Sequence, residues 1–159
     1  MRALCIVCFA GILASGSACA QSGESSRPVA AYDSVLAKQL GADEFGMKHY
    51  VMAFLRAGPK RILDSVKREE LRRSHLQNIL RLTKEGKLLV AGPFLDDQEL
   101  RGIFIFNVEN IDEARAIAET DPAVRAGSLV LELHPWYASA ALMEIPKIHK
   151  SLEKKSVTD

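Results

Sequence analysis

Between Lys48 and Tyr137 the spacing of apolar positions alternates between strand-like and helix-like stretches. KHYVMAFLR (48–56) is dense in aromatic and aliphatic residues and stops at Gly58-Pro59, which predicts a strand. From Ser65 to Glu85 the spacing lengthens, so that Leu71, His75, Ile79 and Leu82 fall along one side of a helix. No Gly or Pro interrupts that stretch, and Gly86 supplies its stop. KLLVAGPF and RGIFIFNVE predict two further strands, joined by the turn DDQE. Asn110 or Asp112 can cap a helix IDEARAIAET; DPAVRAG reads as a brief helical turn, and SLVLELHPWY as a last strand.

The order is β-α-β-β-α-β, the split βαβ arrangement of a ferredoxin-like α+β fold with an antiparallel sheet. The first and third strands occupy the centre of such a sheet, and they carry the longest apolar runs here, YVMAFL and IFIF. A sheet with one wet face alternates apolar and polar residues, and IFIF does not. Two helices cover one face only, so the other needs a partner, most economically a second copy of the same sheet. The pattern therefore predicts a homodimer.

The two ends read differently. MRALCIVCFAGILASGSACA has one basic residue, an apolar run from Ala3 to Leu13 and then small residues, the layout of a secretory signal peptide over residues 1–20. The run is shorter than the roughly 20 apolar residues of a permanent membrane helix. Ala18-Cys19-Ala20 predicts cleavage before Gln21, giving a secreted or periplasmic chain. Gly16-Ser17-Ala18-Cys19 also resembles a lipobox, and lipidation of Cys19 would anchor the chain to a membrane; no other membrane contact is expected. Residues 21–46 read as a Ser- and Gly-containing linker and a short helix stopped by Gly41, and 138–159 as a partly helical tail.

The composition is that of an ordinary globular domain, 48% hydrophobic and 26% charged over 159 residues. All three cysteines, Cys5, Cys8 and Cys19, lie in the leader. A chain starting at Gln21 thus has no disulfide, no thiolate nucleophile and no zinc–thiolate site. Without Arg2 the 21 basic residues become 20, equal to the 20 acidic ones, so the electrostatic footprint of a nucleic-acid binder is missing. The mixed charges of KREELRR read as the solvated face of a helix.

Few residues suggest chemistry. His75 stands in the apolar row of the long helix, as either a satisfied core histidine or the working group of a site. Asp121 precedes Pro122, the pattern of an N-cap followed by proline at the first helical position. Glu132, His134 and Trp136 alternate onto one face of the last strand, where they could line a pocket or pack at an interface. Neither HxxxH nor HxH spacing occurs, nor a Gly-rich phosphate loop, so neither a metal nor another cofactor is expected.

HLQNILRLTKEGKLLVAGPF, followed by a strand and ETDPAVRAGSLVLELHPW, resembles the YCII-related domain of the dimeric α+β barrel group. The resemblance spans residues 47–137 and rests on His75, Ala91-Gly92-Pro93 and Asp121-Pro122 in this order and spacing. It implies a dimer of ferredoxin-like subunits and an active site built on a His–Asp pair, here His75 and Asp121. The group includes a lactone dehalogenase, and related barrels include muconolactone isomerases and small monooxygenases. The expectation is an exported, cofactor-independent lyase or isomerase whose His–Asp pair performs acid–base chemistry on a small organic molecule. The alternative is a non-catalytic small-molecule-binding or interaction module on the same dimeric scaffold.

Overall fold

The computed structural model describes residues 31–158; the expected signal peptide and Cys19 lie outside the described residues. Polar caps set the helix starts. The Asp33 side chain accepts the N–H groups of Val35 and Leu36 and opens α1 (Ser34–Leu40), which Gly41 ends. After β1 (Met47–Ala57), Asp64 accepts from Val66 and Lys67 and opens α2 (Ser65–Lys84). The turn beyond α2 needs a left-handed residue, and Gly86 supplies it at φ +70°. Two strands follow, β2 (Leu88–Pro93) and β3 (Leu100–Phe106). Asn110, rather than Asp112, caps α3 (Ile111–Ala118) by accepting from Glu113 N–H. Asp121 caps the short α4 (Pro122–Arg125), with Pro122 in its first turn. The chain closes with β4 (Leu129–Ser139), a 3-10 helix (Ala140–Glu144) and α5 (Ile145–Leu152).

The four strands form one antiparallel sheet in the order β2-β3-β1-β4, with β1 and β3 at its centre, as the β-α-β-β-α-β order predicts. The fold is ferredoxin-like α+β. Where β2 and β3 meet, a Cβ on Gly102 would stand 2.4 Å from the Gly92 carbonyl oxygen, so this position takes no side chain.

Period-two alternation sorts the strand residues onto two faces. Val51, Ala53, Leu55, Phe104 and Phe106 turn toward the helices and pack with Leu82 of α2 and with Ala114 and Ile117 of α3. Full burial of each large apolar side chain there contributes about 1.5–3 kcal/mol. Tyr50, Leu89 and Ile105 turn the other way and pack with Ala138, Trp136, Leu142 and Met143. Leu142 and Met143 belong to the 3-10 helix, so the second face is covered in part from within the chain. The strand pattern did not predict this cover, and it corrects the expectation that a second copy would have to supply all of it. Phe54 and Ile103, paired across β1 and β3 on that face, remain partly exposed.

Candidate active site

Midway along α2, His75 points its Nδ1 at the carboxylate of Asp121, 2.9 Å from Oδ1 and 2.8 Å from Oδ2. Helical spacing explains the imidazole's direction, since His75 shares its side of α2 with the partly buried Ile79 and the buried Leu82. Its ring stacks on Phe104 of β3, centroids 6.0 Å apart and planes 21° apart. The carboxylate is held by its role as a cap: Ala123 N–H donates to Asp121 Oδ1 at 2.8 Å. One carboxylate thus starts α4 and engages α2, 46 residues earlier in the chain.

The depth of the pair matters. Asp121 is 1% exposed and His75 18%. An unpaired polar group so placed costs about 1–3 kcal/mol, and each partner removes that cost for the other. A carboxylate that accepts a backbone N–H presents an acceptor to the imidazole, so Nδ1 carries the proton and donates it. In the neutral ring the basic lone pair then lies on Nε2. Among the described residues every fully buried side-chain nitrogen or oxygen has a partner. Nε2 has none there, so it lies at accessible surface. The arrangement can take a proton from outside at Nε2 while Asp121 fixes the ring and its tautomer.

Two polar residues of α2 that the apolar pattern passed over belong to this site. Asn78, 8% exposed, donates from Nδ2 to Asp121 Oδ2 at 3.4 Å, and Arg81 Nη2 donates to Asn78 Oδ1 at 2.7 Å. A signal for Asn78 was available: it falls three residues after His75 and four before Leu82, inside the buried row.

Glu132, His134 and Trp136 are brought together, but not with His75. In register they face Phe54, Met52 and Tyr50 of β1, on the side of the sheet away from α2 and α3. Trp136 is partly buried beside Tyr50, their ring centroids 6.3 Å apart. His134 and Glu132 are half exposed, with His134 Nε2 3.0 Å from Glu132 Oε1 and Arg56 Nε donating to Glu132 Oε2 at 2.8 Å. Those hydrogen bonds, from Arg56 first and then His134, hold the Glu132 carboxyl below the usual carboxylate range. Within one chain the sheet separates this group from the His75–Asp121 pair. A hollow of about 530 Å³ along α2 is lined by Ser65, Val66, Glu69, Glu70, Arg73 and Ser74, and by neither member of the pair. Its rim is mostly exposed and half of its residues are charged, so it offers little of the buried polar chemistry found at His75.

The family model of the YCII-related domain matches residues 50–137, a span that contains His75, Asn78, Arg81 and Asp121. No curated protein sequence matches the chain. One similar solved structure is the 5-chloro-2-hydroxyhydroquinone dehydrochlorinase of Burkholderia phenoliruptrix AC1100, in complex with 2,5-dihydroxybenzoquinone. It is 26% identical, with a TM-score of 0.41 over 54% of this chain and 92% of that one.

Proposed function

The chain belongs to the YCII-related domain family, and from that premise we propose that it is a small-molecule enzyme working through His75 and Asp121. His75 Nε2 takes a proton from a carbon acid and returns it, or assists loss of a leaving group, without a cofactor. Asp121 orients the ring and stabilises its charged form once the proton has arrived. Isomerisation or elimination is the reaction type that asks for no more than this.

The observation that carries the reading is the contact of Nδ1 with both Asp121 oxygens while Nε2 stays without a partner among the described residues. Capping α4 needs only one carboxylate oxygen. Burying the rest of the charge against an imidazole is a costly way to fill space, where an apolar pair of similar volume would serve stability as well or better.

The same proposal includes a homodimer and export. A second copy would close over the part of the sheet that the tail leaves partly open, around Phe54 and Ile103, and would bring Glu132 and His134 into a shared interior. The leader would direct the chain out of the cytoplasm, with Cys19 lipidation as the anchored variant.

Mass spectrometry of small molecules released from purified wild-type chain and from His75→Leu tests the reading. The expected result is a small organic molecule retained by the wild type and lost from the variant. Equal retention by both, with the variant folded, would leave His75 as a wall of a binding module and overturn the catalytic reading.

A further inference from the structure

We infer that Asn78 and Arg81 are positioning residues, which fix the rotation of the Asp121 carboxylate and through it the imidazole of His75. The functional meaning of this rests on the proton-transfer role proposed above; the geometry stands apart from it. Asp121 Oδ1 is anchored by the backbone, through Ala123 N–H at 2.8 Å. Oδ2 has no backbone donor among the described residues; it meets His75 at 2.8 Å and Asn78 Nδ2 at 3.4 Å. Without Asn78, the oxygen nearest the imidazole is held by the imidazole alone.

The direction of the Asn78 amide is set from outside. Its Oδ1 faces Arg81 Nη2 at 2.7 Å and the Thr120 hydroxyl at 3.3 Å. That hydroxyl has one proton, and its shorter contact is with the Ile117 carbonyl at 2.7 Å, so it donates there and accepts from Arg81 Nη2 at 2.9 Å. The guanidinium is therefore the main donor to Oδ1. Turning the amide over would set its NH2 against the guanidinium and its oxygen against the carboxylate, a mismatch at both ends. Arg81 is in turn steadied by Glu85, whose Oε1 accepts from Nη1 at 2.8 Å. A half-exposed cation thus determines, through one buried amide, which polarity Asp121 meets. An Asn on a solvated helix face would need none of these partners.

The test uses the full chain labelled with 15N-histidine, with the His75 signals assigned by their loss in His75→Gln. The readout is the exchange rate of the His75 Nδ1 proton with water. Asn78→Leu and Arg81→Met are each expected to speed that exchange by about fivefold, the factor an ordinary hydrogen bond is worth. Arg81→Lys, which retains a cationic donor for Oδ1, is expected to restore most of the protection. A circular-dichroism melt run beside each variant separates this from loss of fold. Should Asn78→Leu fail to fold, the surface change Arg81→Met carries the test alone. Unchanged Nδ1 exchange in folded Arg81→Met, or no difference between Arg81→Met and Arg81→Lys, overturns the inference. Faster exchange in both variants upholds it even if His75→Gln leaves turnover intact, a result that would remove only the catalytic reading.

Discussion

Asp121 Oδ1 receives two groups at once, Ala123 N–H at 2.8 Å and His75 Nδ1 at 2.9 Å, so the cap of α4 and the orientation of the imidazole depend on one carboxylate. Asp121→Ala removes both. The expected loss of stability is about 2–4 kcal/mol, combining a lost cap with a stranded buried imidazole. Asp121→Asn behaves differently. Its amide oxygen keeps the cap, its NH2 faces Nδ1, and the imidazole answers by moving its proton to Nε2. Stability should fall by about 1–3 kcal/mol, because the new NH2 stands where Oδ2 accepted from Asn78 and leaves that buried donor without an acceptor. The 15N shifts of His75 should report the other tautomer, and function should be lost with the base. Urea melts and the 15N spectrum together check the pair of outcomes.

The pH dependence of the second-face cluster follows from Glu132. Its carboxyl is depressed by Arg56 and His134, so the folded state holds the charged form more firmly than the unfolded chain does. The resulting increment is present above the ordinary glutamate range and is lost as pH falls through the depressed folded value. Both partners are solvent-exposed, so the effect is modest. Glu132→Gln should melt slightly below wild type at neutral pH, and the gap should close on acidification below the glutamate range. A gap that persists or widens there would contradict this assignment.

Association is testable at Ile103. Its neighbour Ile105 is already covered by the tail cluster, whereas Ile103 and Phe54 stay partly exposed on the same face. Ile103→Glu should turn a dimeric wild type into a monomer in multi-angle light scattering, with the helix-side core intact. A well-behaved monomeric wild type at micromolar concentration would refute the proposed dimer.

Processing is settled by intact mass of protein made in its native host. The expected chain begins at Gln21, because the apolar run is short and is followed by Ala-x-Ala. A chain beginning at Met1 contradicts the leader, and a lipid mass on Cys19 selects the anchored form.

Much of the fold was legible because period and punctuation agreed. Asn110 and Asp121 cap where the sequence predicts, and Gly41 and Gly86 end the helices before them. The central place of the first and third strands followed from the β-α-β-β-α-β order, and their long apolar runs agreed with it. IFIF could not reveal which residue meets the helices, since both faces are apolar; the register puts Phe104 on the helix side and Ile105 on the other. The tail was missed as cover because ALMEIPKIHKSL has a proline within it and gains its place only by packing Leu142 and Met143 on the sheet. His75 and Asp121 were visible as a histidine in an apolar row and a cap before proline. Asn78 was passed over although it lies inside the buried row, and Arg81 gave no signal, because a half-exposed cation on a helix reads as solvated until its tertiary partners are known.

The proposed role of His75 Nε2 is that of a base aimed at a small carbon acid. Its most direct measurement is proton NMR of a panel of small carbon acids, unsaturated lactones among them, incubated in D2O with wild type or His75→Gln. At least one compound is expected to exchange a carbon-bound hydrogen, isomerise or eliminate with wild type. The rate should fall by about 10²–10⁴-fold with His75→Gln, the usual contribution of a positioned general base. Turnover of that compound at the same rate by folded His75→Gln would contradict it.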